Sequence, residues 1–433
     1  MPHDMYLHGG TIISGGLTTP AATIRIRDGV IDDVSHEPPP TGAQVIDTSG
    51  SLMIPGVINT HAHGLTTGPL FSSAAQPLTR DQALANADRH MSAGVTTVVN
   101  ICGFAVPEDI PEHPLQVLLG TTNLPHALTA ADLVDGSGLT EHDRHMAASQ
   151  MIESGAVAIG EVGSGATLGG GVAAYRYVPN AVREGAGLEL DTETATALID
   201  ALVGPLRTSE PDDRALAGTM EMRGLPSSAF AVVRAAILDF AAAPVVASLG
   251  SFAEATSLSA QTGVPVIFHT AEPSLREILH LARTTEARMV AGHMNHPSIS
   301  PENAVAAARI LREDGVTLDV SSLDIVHAQA MCSPDVADAL ASAGLVDTLT
   351  TDYAGGAWEP MLGLAQRWIG LGHITLEQGV DMCTSAPADI FGFTDRGQIT
   401  PGRKADIVVC SPDNLEDVST VLIDGIVRNS RPS

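Results

Sequence analysis

The chain has 433 residues, of which 44% are hydrophobic and 17% are charged, with 42 glycines and 27 prolines. This composition is typical of a folded globular protein and excludes disorder, collagen and coiled coil. Acidic residues outnumber basic residues 50 to 22, and the formal net charge is -28. Because such a surface repels phosphate backbones and anionic membranes, we expect neither a nucleic-acid nor a membrane partner.

The cysteines and the first residues bear on the cellular compartment. Four cysteines stand at wide spacings, without a C-x-x-C pair or a disulfide framework, as is usual in a reducing compartment. The opening MPHDMYLHGG lacks a basic segment followed by an apolar one, and the longest apolar stretch, near 229–250, is interrupted by Arg234 and Asp239. The sequence therefore predicts a cytoplasmic protein.

Both ends of the chain carry short runs of alternating apolar residues separated by turn signals. Residues 1–53 contain the pair Asp28-Gly29, and residues 394–433 contain Asp424-Gly425, both typical of tight β-hairpins. We expect the two ends to pair into one small β-sandwich domain.

Between the ends, apolar runs typical of strands alternate with helical stretches, which favours parallel strands joined by crossover helices. Eight candidate strands are GVINTHAH (56–63), VTTVVNICG (95–103), HALTAADLV (126–134), AVAIGEV (156–162), VPVIFHT (264–270), ARMVAGH (287–293), VTLDVSS (316–322) and VDTLTTD (346–352). A helix capped by Thr140 is expected to run to about Glu153. The pattern predicts an α/β fold, a (β/α)8 TIM barrel over residues 54–393, with a long insertion at about 165–250 that covers or shapes a substrate site.

Polar residues stand at the ends of five of these runs, where a TIM barrel places its catalytic face. They are His61, His63, Glu161, His269, His293 and Asp352. Four imidazoles and two carboxylates suit one or two divalent ions such as Zn, Fe, Mn or Ni. In the H-x-H pair both side chains point the same way, because the side-chain period of a strand is two.

A single histidine in a β-rich segment is more often structural than a ligand, so the metal site depends on the joint placement of all six residues. Cys102 is either a further ligand or a buried core residue. His296 and His327 fit either role. Seven further histidines are expected to be structural or exposed, in loops or on solvent faces of helices: His36, His90, His113, His142, His145, His280 and His373.

Two segments resemble the amidohydrolase superfamily. PGVINTHAHG (55–64) is similar to its first-strand metal motif, and TSAPADIFGFTDRGQITPGRKADIVV (384–409) is similar to its return into the sandwich. The resemblance covers nearly the whole chain. It implies one or two metals at the barrel mouth, a water activated there to hydrolyse amides, lactams, ureas or substituted heterocycles, a small-molecule substrate and assembly as a homo-oligomer.

Many members of that superfamily bridge two metals with a carboxylated lysine on the fourth strand. Here the one lysine is Lys404, beyond the eighth strand, and the fourth strand ends in Glu161. A glutamate at this position is similar to the enamidases, which open a cyclic enamide. The likeness implies two divalent ions, Zn first with Fe or Mn as alternatives. One would be held by His61, His63, Glu161 and Asp352, and the other by Glu161, His269 and His293.

The same likeness gives Asp352 a second role. A hydroxide shared by two cations is a nucleophile at neutral pH, and Asp352 would take its proton and deliver it to the leaving nitrogen. Substrate contacts are expected from Gly165, in the Gly-rich stretch 163–171, unless that stretch is only a linker. Tyr175 and Arg176 would clamp a substrate carboxylate, unless Arg176 is a surface residue.

Other functions remain open. A mononuclear deaminase would use Glu272, in His269-Thr-Ala-Glu272, as a proton shuttle, although an acidic residue there is also favoured by the start of a helix. A deacetylase of N-acylated amino acids or sugars would use the same metal chemistry. A metal-free scaffold protein is a third possibility. The preferred prediction is hydrolysis of a carbon–nitrogen bond in a cyclic enamide, lactam or small aryl or heterocyclic amide.

Overall fold

The computed structural model describes residues 4–73, 75–134, 139–168, 171–322, 324–326, 329–353 and 355–430. The chain begins with five strands. These are β1 (Met5–Ser14), β2 (Leu17–Arg27), β3 (Val30–Ser35), β4 (Gln44–Asp47) and β5 (Leu52–Pro55). The β2–β3 hairpin turns at Asp28 and Gly29, both with positive φ, as predicted.

Strands and helices then alternate. The elements are β6 (Val57–Ala62), α1 (Arg80–Ser92), β7 (Val95–Asn100), a 3₁₀ turn (Pro107–Asp109), β8 (Gln116–Thr121), α2 (Pro125–Val134), α3 (Glu141–Arg144), α4 (Ala148–Glu153) and β9 (Ala158–Val162). The third barrel strand is therefore β8, and the prediction of a strand over 126–134 was wrong because that run is α2. The helix predicted from Thr140 is divided into α3 and α4.

The long insertion is helical. It contains a π-helical turn (Ala173–Tyr177), α5 (Val178–Ala186), α6 (Thr192–Val203), α7 (Asp213–Met222), a 3₁₀ turn (Ser227–Ala229), α8 (Phe230–Ile237), a second π-helical turn (Leu238–Ala242) and α9 (Ala243–Thr262). Apolar side chains between Ala173 and Ala241 form a core of their own, separate from the barrel core. By contrast, Val245 and Phe252 of α9 belong to the barrel core.

The second half of the barrel contains β10 (Val266–His269), α10 (Glu272–Thr284), β11 (Met289–Gly292), α11 (Pro301–Glu313), β12 (Thr317–Ser321), β13 (Asp324–Val326), β14 (Gln329–Ala330), α12 (Pro334–Ser342), β15 (Thr348–Thr350), β16 (Ala357–Trp358), α13 (Met361–Gly370), α14 (Leu376–Cys383) and α15 (Ser385–Phe391). The chain ends with β17 (Ile407–Cys410), β18 (Val418–Ile423) and β19 (Ile426–Ser430).

The eight barrel strands form one parallel sheet in the order β15-β12-β11-β10-β9-β8-β7-β6. Side chains on its outer face pack with the helices. Its inner face holds a smaller cluster that includes Ile101, Ile267 and Val290, closed by Phe391 of α15. The structure thus has the predicted TIM-barrel architecture.

The two chain ends form a separate sheet in the order β19-β18-β17-β5-β1-β2-β3, with β4 beside β1. Its contact between N-terminal and C-terminal strands is the antiparallel pair β5–β17, in which Met53 lies opposite Val409. The prediction that both ends share one sheet is confirmed.

One helical segment of the described chain, Ser227–Thr262, is long and apolar enough to cross a membrane by length and composition. This is weak evidence, because the core helix of a globular protein has the same properties. Here Val233 and Ile237 pack in the core of the insertion, and Val245 and Phe252 pack in that of the barrel.

Candidate metal centre

The seam between the first and last barrel strands positions three of the predicted ligands. His61 lies in β6 and His63 directly follows it, while Asp352 comes two residues after β15. The Asp352 amide donates to the His61 carbonyl at 2.9 Å, and the His63 amide donates to the Tyr353 carbonyl at 2.9 Å. Backbone hydrogen bonds therefore hold these three residues side by side.

Their side chains converge on one point. His61 Nε2 lies 3.2 Å from Asp352 Oδ1, and His63 Nε2 lies 3.3 Å from the same oxygen. Two ligands at ordinary zinc distances with a tetrahedral angle between them are separated by about 3.4 Å. This group has the spacing of ligands that share one cation.

Glu161, in β9, links this group to the histidines of the next two strands. Its Oε1 lies 2.9 Å from His269 Nδ1 and 2.8 Å from His293 Nε2. Its Oε2 lies 3.7 Å from His63 Nε2. The two carboxylate oxygens thus face different histidines, which is the orientation that a bridging ligand requires.

The second possible cation group consists of His61, Glu161 and His293. The sequence-based assignment placed His269, in place of His61, with Glu161 and His293. His269 contacts both of these residues, since its Nδ1 also lies 3.1 Å from His293 Nε2. The structure brings all six predicted ligands together, and the division between two ions stays a prediction.

The six side chains are buried, with exposures from 1% for His61 to 9% for Asp352. Burial lowers the pKa of His293, but the hydrogen bond to Glu161 and nearby carboxylates outweigh it and raise that pKa to about 9. Burial raises the pKa of Glu161, but the charge and hydrogen bonds of His269 and His293 outweigh it and lower that pKa. For Asp352 the balance is similar, and its pKa lies well below the usual range.

Several imidazole nitrogens of this site are buried without a hydrogen-bond partner among the described residues. They are His61 Nδ1 and Nε2, His269 Nε2 and His293 Nδ1. Buried polar atoms in folded proteins are normally paired, so unpaired imidazole nitrogens beside two carboxylates fit a site that binds cations. Neutral imidazole and carboxylate are ligands for Zn, Fe and Mn.

Two ligands have a backbone conformation that non-glycine residues rarely adopt. The φ angle is +33° at His293 and +45° at Asp352. Such conformations cost of order 1 kcal/mol or more and persist where surrounding contacts impose them. Their presence at two ligands indicates that the fold is strained to direct these side chains inward.

Asp319, in β12, is a site residue that the sequence analysis missed. It is 1% exposed and lies 3.7 Å from His61 Nδ1, on the side of the ring away from Asp352. It accepts hydrogen bonds from the hydroxyls of Thr348 and Thr350 and from the His293 amide. The sequence did contain a signal for Asp319, because it is an ionisable residue inside an otherwise apolar strand. A carboxylate behind a ligating imidazole orients the ring.

Cys102 and His296 border the site. The Cys102 sulfur lies 3.8 Å from His63 Nδ1, whereas His63 Nε2 faces Asp352. His296 is 6% exposed, and its ring lies 5.3 Å from that of His269. Its Nδ1 interacts with the Ser298 hydroxyl at 2.7 Å. Both residues contact ligands, and His327 lies outside the described residues.

The predicted substrate contacts are dispersed. Gly165 is partly exposed, in the loop after β9. Tyr175 and Arg176 lie in the π-helical turn of the insertion, where Arg176 is exposed and its guanidinium is 5.3 Å from the Tyr177 ring. Glu272 is the first residue of α10, and it borders a groove with Leu206 and Arg276. These four assignments stay predictions.

His90 has one of the two roles expected of it, since it is structural, but it does not lie in a loop or on a solvent face. It is fully buried in the last turn of α1, where its Nδ1 donates to the Asn86 carbonyl at 2.8 Å. Its ring lies 4.9 Å from Trp358 and 5.5 Å from Tyr353. Its role is therefore structural, and it supports the segment that follows Asp352.

Comparison with known proteins gives one family match, to the amidohydrolase family over residues 226–429. A segment is 28% identical over 178 residues to the allantoinase of Salmonella paratyphi B, covering 33% of this chain. The chain spans 38% of the length of that relative.

Solved structures share the fold over almost the full length. Dihydropyrimidinase from Brevibacillus agri superposes with a TM-score of 0.52 and 17% identity, over 99% of this chain and 95% of that chain. A D-aminoacylase described with a binuclear metal centre gives a TM-score of 0.55 and 17% identity, over 100% and 98%. The amidohydrolase family model thus matches the second half of the chain, and the solved structures share its fold.

Proposed function

We propose that the protein is a metal-dependent hydrolase that cleaves a carbon–nitrogen amide bond, with Glu161 shared between two divalent cations. Zinc is the first candidate, with iron or manganese as alternatives. The observation that carries this proposal is the orientation of Glu161. One of its oxygens lies within 2.9 Å of nitrogens of His269 and His293, and the other faces His63. A carboxylate so placed can join two cations as a carbamate does.

The cations, when bound, acidify a water molecule and polarise the carbonyl that it attacks. Asp352 is the proton carrier, because its carboxylate stands at the mouth between His61 and His63. Its lowered pKa keeps this carboxylate ionised, so that it can accept a proton. As a base it accepts a proton from the attacking water, and as an acid it returns the proton to the leaving nitrogen. Asp319 keeps the His61 ring in place from behind.

We propose a small cyclic or aromatic amide as the substrate, such as a cyclic enamide of the kind that enamidases open, a lactam or a heterocyclic amide. The burial of all six ligands favours a small molecule over a folded protein or a nucleic acid. One relative is an allantoinase and one structural neighbour is a dihydropyrimidinase, and both support a substrate of this size. A homo-oligomer in the cytoplasm remains our expectation for the assembly.

The test combines metal analysis with a substrate screen. The purified protein is expected to contain two divalent ions per chain and to hydrolyse at least one member of a panel of lactams, cyclic imides, aryl amides and ureas. Removal of the metals by a chelator should abolish turnover, and zinc should restore it. One ion per chain together with ammonia release from an aminated heterocycle would contradict the proposal and support a deaminase.

A further inference from the structure

The inner face of β8 leads to a second polar feature of the barrel mouth. Leu118 packs with the inner cluster of Ile101 and Ile267. A Cβ on Gly120 would lie 2.8 Å from the Gly160 carbonyl and 2.9 Å from Ile101 Cγ2, so this position also faces inward. Side chains alternate along a strand, so Thr122, one residue beyond β8, points inward at the level of the metal ligands.

Gly103 gives the position of the Thr122 hydroxyl. Its neighbour in the sequence, Cys102, contacts His63 Nδ1. A Cβ on Gly103 would lie 2.2 Å from Thr122 Oγ1 and 3.3 Å from Ser72 Cβ. The Thr122 hydroxyl therefore lies against the backbone of Gly103, on the His63 side of the metal centre and close to the loop that carries Ser72.

That loop, which follows β6, crosses the site. The Phe71 ring lies 5.0 Å from the His63 ring, and the Ser72 hydroxyl donates to the carbonyl of Gly163, two residues beyond Glu161. Ser73 is the next residue. The contacts of Phe71 and Ser72 thus extend from the first barrel strand to the fourth, and Ser73 directly follows them in the chain.

Two hydroxyls in this region have no hydrogen-bond partner within the part of the chain that the structure describes. Thr122 Oγ1 and Ser73 Oγ are both unpaired, although Thr122 is 0% exposed and Ser73 is 1% exposed. Buried hydroxyls of folded proteins are nearly always paired, and an unpaired one is costly. Two unpaired hydroxyls at one edge of a candidate active site indicate that a bound ligand forms the missing hydrogen bonds.

We propose that Thr122 and Ser73 form a substrate subsite that hydrogen-bonds a neutral carbonyl or amide group other than the one being cleaved. The inference rests on the proposed function, because the scissile carbonyl is assigned to the metal centre. A hydroxyl can donate to a carbonyl oxygen and accept from an amide N–H. No arginine or lysine hydrogen-bonds to either hydroxyl among the described residues, and a buried carboxylate would require such a cation.

The substrate class that follows is a small neutral molecule with two carbonyl or amide groups, such as a cyclic imide or ureide. A monofunctional lactam would leave the subsite hydroxyls unpaired. An enzyme site built to hydrogen-bond a group discriminates against analogues that lack it, because its own polar atoms then stay unsatisfied.

Succinimide and 2-pyrrolidinone are a matched pair of probes, because they are five-membered rings that differ by one carbonyl. We expect the zinc-loaded protein to bind succinimide about 5- to 10-fold more tightly than 2-pyrrolidinone in calorimetry, the usual range for one neutral hydrogen bond. Thr122→Val and Ser73→Ala should reduce this ratio toward one without changing metal content, and Thr122→Ser should restore it.

The control is Thr256→Val, a buried threonine of α9 whose hydroxyl donates to the Phe252 carbonyl at 3.0 Å. This variant should lose thermal stability and keep the binding ratio, whereas Thr122→Val should not lose stability because the hydroxyl that it removes is unpaired. Equal binding of the two probes, a ratio unchanged in Thr122→Val, or tighter binding of N-acetyl amino acids than of either probe would overturn the proposal.

Binding and turnover separate this inference from the function on which it rests. If the ratio depends on Thr122 but no amide in the substrate panel is hydrolysed, the subsite stands and the proposed hydrolase activity fails. If amides are hydrolysed and the ratio does not depend on Thr122 or Ser73, the activity stands and the subsite fails.

Discussion

The two halves of the candidate metal centre are held in different ways. On the seam between β6 and β15, backbone hydrogen bonds join Asp352 to His61 and His63 to Tyr353. Side chains support the same seam, because Asn59 Nδ2 donates to Thr351 Oγ1 at 2.7 Å. On the opposite half, Glu161 and His269 lie in the paired strands β9 and β10, but the contacts among Glu161, His269 and His293 are side-chain contacts, two of which meet at a single carboxylate oxygen.

This difference indicates in which half the arrangement of the ligands depends on side-chain charge. The seam should keep its geometry if the side chain of Asp352 is neutralised, because main-chain hydrogen bonds hold Asp352 and His63 in place. The Glu161 half gathers two imidazoles only 3.1 Å apart, and an anionic oxygen between them offsets their repulsion. We therefore expect substitutions at Glu161 to disperse ligands, and substitutions in the seam to weaken function while the ligands remain in place.

The largest effect is expected for Glu161→Gln. An amide offers one weakly basic oxygen and no charge, so the variant should lose metal occupancy while retaining the fold. Turnover should fall by about 10³-fold or more, since bound metals contribute several kcal/mol to transition-state stabilisation. Metal analysis, circular dichroism and kcat measure the three outcomes.

The matched control for Glu161→Gln is Glu254→Gln, at a carboxylate of α9 that interacts with His126 near the surface. It should behave as the parent does. Full metal content with near-normal turnover in Glu161→Gln would show that this residue does not bridge.

Asp352→Asn tests the seam. We expect much of the metal to remain, because the backbone and the two histidines stay in position, while kcat falls by about 10² to 10⁴-fold through loss of the proton carrier. The measurement is kcat with metal content determined on the same sample. Turnover within a few-fold of the parent would mean that another residue is the base.

His90 should make the support of the seam sensitive to acid. Burial lowers its pKa from 6.5 to about 4, so the folded protein holds the ring neutral. Its contribution is complete above pH 6.5 and is lost as the pH falls toward 4, by about 3 kcal/mol of unfolding free energy at most. Between pH 6.5 and 4.5, the Tm of His90→Phe should fall less steeply than the Tm of the parent. If Tm depends on pH identically in both proteins, this role of His90 is contradicted.

Asn86, one turn earlier in α1, connects the segments that follow both seam strands. Its Nδ2 donates to the Gly64 carbonyl at 2.9 Å, and its Oδ1 accepts from the Tyr353 hydroxyl at 3.2 Å. Asn86→Ala should weaken the affinity for one metal equivalent by about 10-fold, as is usual for residues that orient ligands. Asp88→Ala, an exposed change in the same helix, should leave the affinity for both metal equivalents unchanged. A metal titration of Asn86→Ala that is identical to that of the parent would contradict the role of Asn86 in orienting the ligands.

The smallest effect is expected for Glu272→Gln. Glu272 is the first residue of α10, where a negative charge is favoured by about 0.5 kcal/mol. The variant should melt slightly earlier and keep at least about a tenth of kcat, because a proton shuttle would be worth at least about 10²-fold. A collapse of kcat at constant metal content would favour the deaminase alternative.

Most barrel strands were predictable because each is an apolar run ending in a polar residue. The third was not. HALTAADLV is as apolar as a strand, but Ala127, Ala130 and Ala131 are the buried residues of α2, and this spacing is helical. Pro125 at the first helical position was a further signal. The true strand, QVLLGT, begins with glutamine and lacked a polar residue that could mark a metal ligand.

The residues that converge in the candidate metal centre were predictable from residue type and position, whereas their surroundings were not. Asp319 and His90 are polar residues whose burial depends on partners far away in the sequence, such as Thr348 for Asp319 and Trp358 for His90. The sequence could not predict the unpaired hydroxyls of Thr122 and Ser73 either, because an atom is known to be unpaired only when all of its neighbours are known. The periodicity of apolar residues predicts neither the distant partners of buried polar residues nor the hydroxyls that lack a partner.

The seam between β6 and β15 also bears on how the chain folds. Asn59 and Thr351, which hydrogen-bond across it, are 292 residues apart. The entropy of closing so long a loop grows only slowly with its length, but the contact forms only after the intervening strands are in order. A cation that binds His61, His63 and Asp352 can bind only after this closure. At a thousand times its dissociation constant such a ligand stabilises the native state by about 4 kcal/mol. Metal binding would then stabilise the closure of this seam, which is a late step in folding.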